Sequence, residues 1–367
     1  MQINKRMFKN LDYSILISEI LIIIMGVVTI ASATGGNTRT FKMQIAFFIM
    51  ASLIGLVTLF IDYNTIGGYH KVLYISTIIL LVLVLVVGQR TKGAKAWLGL
   101  GFMGVQPAEF AKLTTIITLA KLMEDMENIN TFKNLLKLAF YALLPMVLIQ
   151  LQPDFGTNMI FAVTILGMLF VAGLDLKFIY GGAIAAIVSI AAVWQLNIIK
   201  PYQKDRVMVF LRPELDRMGK GYNAIMAKSA IGSGMFFGMG FRNGNLAGGN
   251  FIPESHSDFI FSVFAEEWGF LGTMLLLVLY GNMIFKGIKI AKTSKDKFGC
   301  YMVTGIVTMF TFQILQNIGM DIGLMPITGI PLPFMSAGGS SLITSIISVA
   351  LILNVGIRRN KLEFSRG

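Results

Sequence analysis

Glu254, His256 and Asp258 crowd into one short stretch, Ile252-Pro253-Glu254-Ser255-His256-Ser257-Asp258-Phe259. Two carboxylates and an imidazole can exchange protons with a reacting group. Asp258 stands where a polar loop enters a long apolar run, so it serves equally as a helix N-cap; the helix dipole there keeps its carboxylate ionised, which suits a waiting base. Glu266 and Glu267 follow about two turns deeper, where charge is costly unless it lines the same cavity. A second constellation is Gln106-Pro107-Ala108-Glu109-Phe110-Ala111-Lys112. Pro107 suits the first turn of a helix, which puts Glu109 in that turn and Lys112 three residues on along the same face. A charge within the hydrocarbon costs about 2.5–3.5 kcal/mol on insertion scales, so this pair is either a structural ion pair or part of a wet cavity.

Four more stretches are polar or conformationally special. Gly93-Ala94-Lys95-Ala96-Trp97-Leu98-Gly99 reads as an interfacial loop with the Trp97 indole at headgroup level. Gln152-Pro153-Asp154-Phe155-Gly156 is a tight turn in which Asp154 caps the following helix. Residues 325–341 hold Pro326, Pro331 and Pro333 and no charge, as a re-entrant segment would; Ser336 lies in it, and Gly338 and Gly339 allow close backbone approach to a ligand. The glycines of 230–240 superficially resemble a nucleotide loop, but no strand precedes them, and a flexible or membrane-dipping loop is expected.

The elements that must carry these residues follow from composition. Of 367 residues, 55% are hydrophobic and 14% charged, with mean hydropathy +0.72, which excludes an ordinary soluble domain. A transmembrane helix needs about 20 apolar residues. Ten runs qualify, approximately 11–33, 43–61, 72–88, 107–123, 134–151, 156–173, 178–199, 259–285, 300–320 and 341–357. The fourth is the weakest by hydropathy because Glu109 and Lys112 interrupt it. The expectation is an all-α integral membrane protein, one polytopic domain over 1–367, with a large extracytoplasmic loop over about 200–257 between spans seven and eight. The first run ends in Ala31-Ser32-Ala33, a cleavage look-alike, but it is longer than a signal h-region and reads as a retained span.

The net charge of +12 divides unevenly. With both termini cytoplasmic, 17 Lys and Arg fall inside and 13 in the outer loops, which supports that orientation. Eight of the outer ones, Arg206 among them, sit in the long loop, where they contact lipid headgroups or handle an anionic substrate. Nucleic acid is not implied. One Cys and two His exclude an intrachain disulfide and make a poor start for a metal site.

Six ordered stretches, GAKAWLGLGFMGVQPAEFAKL, QPDFGT, YQKDRVMVFLRPELD, GSGMFFGMG, IPESHSDFIFSVFAEEWGF and PITGIPLPFMSAGGSS, resemble the SEDS family of cell-wall polymerases nearly end to end. FLRPELD and GMGFRNGN look more like its elongation branch than its division branch. The resemblance implies a peptidoglycan glycosyltransferase of the bacterial cytoplasmic membrane that polymerises lipid II on the outer face and releases undecaprenyl diphosphate. It maps the family's essential carboxylate to Asp258. It places Trp97, Glu109, Lys112, Asp154, Arg206, His256, Glu267, Ser336, Gly338 and Gly339 at the substrate or cavity. It implies lipid II and the nascent glycan as ligands, with a class B penicillin-binding protein and other elongation-complex proteins as partners. Lys95-Ala96 and Ala108 depart mildly from the family pattern, and the Lys weakens any bidentate diphosphate contact. The expected reaction uses Asp258 as base, with Lys112 and Arg206, with or without a divalent cation such as Mg or Mn, offsetting leaving-group charge. A lipid II flippase or another anion transporter would instead need midplane charges and an internal repeat, which the sequence lacks. A scaffold would not need Asp258.

Overall fold

A computed structural model describes residues 10–35, 38–91, 94–100, 103–182, 184, 212, 216, 219–248 and 251–359. The first half runs α1 (Tyr13–Ala33), α2 (Thr38–Phe60), a short α3 (Tyr63–Gly68), α4 (His70–Val87), then β1 (Gln89–Thr91), β2 (Ala94–Leu100) and β3 (Met103–Val105). Next come α5 (Pro107–Glu124), α6 (Phe132–Leu151) and α7 (Phe155–Val171). The second half holds α8 (Lys220–Ser233), α9 (Asn245–Gly248), α10 (Ile260–Lys292), α11 (Lys297–Asp321) and α12 (Gly339–Arg358).

The chain is mostly helical, and among the described residues seven helices are long and apolar enough to cross a membrane. α7 is apolar but shorter, and α5 is too polar to be counted with them. Nine of the ten expected spans coincide with helices; the greater part of the seventh, 178–199, lies outside the described residues, as does Arg206.

Hydropathy and position in the bundle run opposite ways. α5, the weakest span by sequence, packs against α4, α6, α7, α11 and α12 and is buried along most of its length, whereas α4, among the most apolar runs, turns Val72, Ile75, Ile79, Val86 and Val87 outward. Lipid rewards apolar surface, while a protein-lined interior tolerates Glu109, Lys112, Thr115 and Thr118 on one helix. α12 is still more enclosed, with 89% of its spanning window buried between α2, α5 and α11.

Three expectations are corrected. The fold is not all-α: β1, β2 and β3 form an antiparallel meander in the loop that carries Trp97, paired Arg90 to Lys95 and Leu98 to Val105. Strands of three to seven residues are too short to leave a period-2 signal beside flanking spans. The glycine stretch of 230–240 is not a free loop either. It ends α8 and then bonds to α10, with Met239 N–H donating to Glu266 O, Gly240 N–H to Glu267 O, and Phe270 N–H to Met235 O. Finally, the helix of the eighth span, Ile260–Lys292, is not continuous. α10 breaks at Gly269 (φ 63°, ψ −162°), a conformation open essentially to glycine alone, and a Cβ there would lie 2.2 Å from Gly238 N. Gly269 to Lys286 covers roughly 26 Å of helix, close to the hydrocarbon thickness. Glu266 and Glu267 therefore lie just before this break in α10.

Candidate functional site

Asp258 is half-buried in the turn that leads into α10. Its backbone and that of its neighbours are held from two sides. From α11, Asn317 Nδ2 donates at 2.8 Å to both Asp258 O and Ile330 O. From the proline- and glycine-rich segment, Ser336 Oγ donates to Ser257 O at 2.6 Å while accepting from Leu332 N at 2.8 Å, and Ala337 N–H donates to His256 O at 2.9 Å. From α11 again, Asp321 Oδ2 accepts from Ser262 N and Oγ at 3.1 and 2.8 Å and so caps the start of α10. The Asp258 carboxylate faces Gly329, where an added Cβ would lie 3.4 Å from Oδ2. Glu254 and Phe334 are non-glycine residues in the left-handed region (φ 58° and 67°), a strain of about 1–3 kcal/mol each that the surrounding bonds must hold.

The expected re-entrant segment is thus the inner wall of the site, ordered without regular structure by these bonds. It continues into α12, whose first turns gather the other predicted residues. Gln44 from α2 accepts from Gly338 N–H at 3.3 Å and donates to Ser336 O at 3.4 Å. Gly339 sits on the Phe47 ring, where a Cβ would come within 2.5 Å. Ser340 Oγ accepts from Gln106 N–H at 3.0 Å, and the Gln106 side chain donates to Asp154 Oδ2 at 3.2 Å. Asp154 caps α7, accepting from Thr157 N at 3.0 Å and Thr157 Oγ1 at 2.7 Å. One turn along α12, Thr344 Oγ1 donates to Glu109 Oε2 at 3.2 Å, and Glu109 Oε1 receives Lys112 Nζ at 2.8 Å. A continuous polar path therefore runs from Asp154 through Gln106 and Ser340 to the α12 N-terminus and on to the Asp258 turn, with the Glu109–Lys112 pair beneath it.

Trp97 stands on β2 with its ring over Gly104, where a Cβ would meet Cε3 at 3.0 Å. The meander packs against α4, α5 and α12, at the same end of the bundle as the α12 N-terminus. Glu267 is not part of this path: it is buried, bonded to the Ser32 hydroxyl and accepting from Arg242 N–H at 3.1 Å. Its neighbour Glu266 accepts from Leu246 N–H at 2.9 Å. Both carboxylates fasten the segment of 233–248 to α10. Lys112 is also enclosed, its side chain 3% exposed in the ion pair. Among the described residues no group of three or more His, Cys, Asp or Glu is placed to hold a metal ion, so no step below is routed through one.

Gln44, Gln106, Asn317, Asp321 and Thr344 were not singled out from sequence. For Asn317 and Asp321 a signal is present in α11, where Gln313, Gln316, Asn317 and Asp321 recur at helical spacing inside a run long enough to span.

A family model described as Cell cycle protein, covering the FtsW, RodA and SpoVE proteins, matches residues 7–361. The chain belongs to this family. The SEDS chain is 34% identical over 365 residues to the peptidoglycan glycosyltransferase MrdB of Escherichia coli (strain K12), covering 99% of this chain and 98% of that one. It is 35% identical over 361 residues to stage V sporulation protein E of Bacillus subtilis (strain 168), covering 94% and 96%. Among solved structures it matches a chain of a peptidoglycan synthase complex described as coordinating polymerization and crosslinking, with TM-score 0.83 and 32% identity over 94% and 97% of the two chains. It also matches the rod shape determining protein RodA of Thermus thermophilus, with TM-score 0.72 and 28% identity over 96% and 98%. Like these, it is a multi-pass membrane protein.

Proposed function

We propose that this SEDS chain is a peptidoglycan glycosyltransferase that polymerises lipid II on the outer face of the bacterial cytoplasmic membrane during elongation, with ten spans and both termini cytoplasmic. The observation that carries the reading is the Asp258 turn: a carboxylate at the mouth of the bundle, its backbone clamped by Asn317, Ser336 and Ala337, facing a side-chain-free surface at Gly329. A glycine wall lets a sugar approach the carboxylate closely, and a clamped backbone fixes where the proton is taken.

In the proposed reaction the acceptor sugar hydroxyl attacks the anomeric carbon of the donor. The new C–O bond forms as the bond to the diphosphate breaks, the hydroxyl proton passes to Asp258, and undecaprenyl diphosphate leaves with the negative charge. Arg206 and the other outer-loop bases offset that charge. Lys112, enclosed by Glu109, acts instead as a positioning residue, holding α5 to α12 beneath the site. Trp97, His256 and Gly338 line the approach for lipid II and the nascent strand, and Gly339 lets α12 start close against Phe47 behind it. A class B penicillin-binding protein is the proposed partner, supported by the likeness to a chain of a synthase complex that couples polymerization to crosslinking.

The test is a polymerisation gel with purified protein and lipid II. Asp258→Asn should lower the rate by about 10²–10⁴-fold, the range for loss of a general base. Asp258→Ala protein polymerising as fast as wild type would overturn the assignment. Fluorescent lipid II flipping in liposomes, run alongside, separates the reading from a flippase, in which flipping without polymerisation is the result.

A further inference from the structure

At the end of the bundle away from Asp258, α1, α2 and α12 leave between them a lateral groove of about 340 Å³. Ile23, Phe48, Ile346 and Leu353 form part of its apolar wall, and its polar lining residues are Glu19 and Ser52. Glu19 is 6% exposed, and its Oε1 has no hydrogen-bond partner among the described residues. A carboxyl oxygen closed off from water and left without a donor is unfavourable, so a groove built around it is complementary to a ligand that brings a donor, and a cationic donor makes the pair a charge-assisted one.

The depth of Glu19 narrows the ligand. Asp12, the N-cap of α1, pairs with Lys286 at 3.5 Å, both partly exposed, and this marks the level of the polar surface. Glu19 lies seven residues further on, roughly 10 Å along the axis. Helical side chains lean toward the N-terminus, which returns the carboxyl to within roughly 6–7 Å of the Asp12 level. The headgroup layer on each side of a bilayer is itself roughly 5–7 Å thick. A headgroup drawn inward by its own thickness reaches Glu19 while its chains stay among the apolar residues.

We propose that this groove binds an aminophospholipid of the adjacent leaflet, its primary ammonium donating to Glu19 and one acyl chain lying along Ile23, Phe48 and Ile346. A choline headgroup has no N–H to donate, and a glycerol headgroup brings a phosphate charge with no ammonium beside the carboxylate, so both are disfavoured.

The experiment is native mass spectrometry of the detergent-purified full chain titrated with phosphatidylethanolamine, phosphatidylcholine or phosphatidylglycerol of matched chains. Wild type should retain one more phosphatidylethanolamine than Glu19→Gln does, with at least tenfold tighter binding, and should show no such difference for the other two lipids. Ser52→Phe, which keeps the carboxylate and fills the groove, should lose the same lipid; it carries the test if Glu19→Gln does not fold. Equal retention by wild type and both variants, or equal binding of phosphatidylcholine, overturns the proposal. Binding of dodecylamine without phosphatidylethanolamine overturns the lipid as occupant and assigns the groove to a free amine.

Discussion

The Glu109–Lys112 pair offers the sharpest energetic test, because it is short, enclosed and joined to the site through a single hydroxyl. Nζ and Oε1 are 2.8 Å apart, with side chains 3% and 5% exposed, and Thr344 supplies the bond to α12. At an effective dielectric of about 20, two unit charges at this separation attract by about 6 kcal/mol. Replacing Lys112 by Met strands the carboxylate, and replacing Glu109 by Met strands the ammonium. Each single change should cost about 3–5 kcal/mol, the range for breaking a buried pair. Removing both leaves no stranded charge, so the double variant should be far closer to wild type than the sum of the two. Neutralisation or hydration of the stranded partner recovers roughly half of the attraction, which leaves a coupling of about 3 kcal/mol. Unfolding in bicelles by increasing sodium dodecyl sulfate, read for wild type, both singles and the double, measures that coupling directly. Thr344→Val should add about 1 kcal/mol of its own and should lose part of that effect in the Glu109→Met background, the rest coming from the bonds of its hydroxyl to Ser340 O and Ser341 O. A coupling below about 1 kcal/mol, as solvent-exposed pairs give, would refute the account of α5 as a helix whose charges are held inside the protein.

Other expectations follow from the same geometry. Asn317→Leu orphans the carbonyls of Asp258 and Ile330; it should destabilise the chain by about 1–3 kcal/mol for each and lower kcat for polymerisation more than it raises KM. Gly269→Ala should destabilise strongly, since it adds a clash at 2.2 Å to a conformational cost of about 1–3 kcal/mol, whereas Gly281→Ala, where a Cβ meets nothing within 4 Å, should leave thermal stability unchanged or raise it slightly. Burial, aided by the 2.6 Å hydrogen bond to Asp296, pushes the Tyr63 phenol above its usual range. Its stabilising share is therefore complete below about pH 10 and is lost as the pH rises further, so denaturation between pH 9 and pH 11 should weaken wild type more than Tyr63→Phe.

Spans facing lipid were legible because one solvent imposes one rule: α1, α2, α4 and α6 stand within a few residues of the expected runs. The interior helices were legible in place but not in rank, because Glu109 and Lys112 depress the hydropathy of α5 for the same reason that it sits among other helices. The break at Gly269 could not be read from the sequence, since apolar residues continue on both sides of it and the cause is a partner backbone, Gly238, some thirty positions away. Glu267 was accordingly placed at the cavity when its bonds go to Ser32 and Arg242. Around Asp258 the sequence supplied the residues and their order. It did not supply Asn317 or Gln44, whose contribution is to bind main-chain atoms of distant segments, a partnership that no local spacing encodes.

α12 is fastened at both ends. At its start Ser340 and Thr344 hold Gln106 and Glu109. At its finish Arg358 reaches Asp62 at 3.1 Å and Phe60 O at 3.4 Å, while Asn354 donates to Ile61 O at 2.5 Å. A rod pinned in this way cannot slide by a turn without breaking both sets of bonds together. Under mechanical load it behaves as a tie, carrying tension from one face of the bundle to the turn that holds Asp258. Drawn out of a bilayer by its tip, the chain should resist most at this last helix and then yield abruptly, taking the geometry of the opposite face with it.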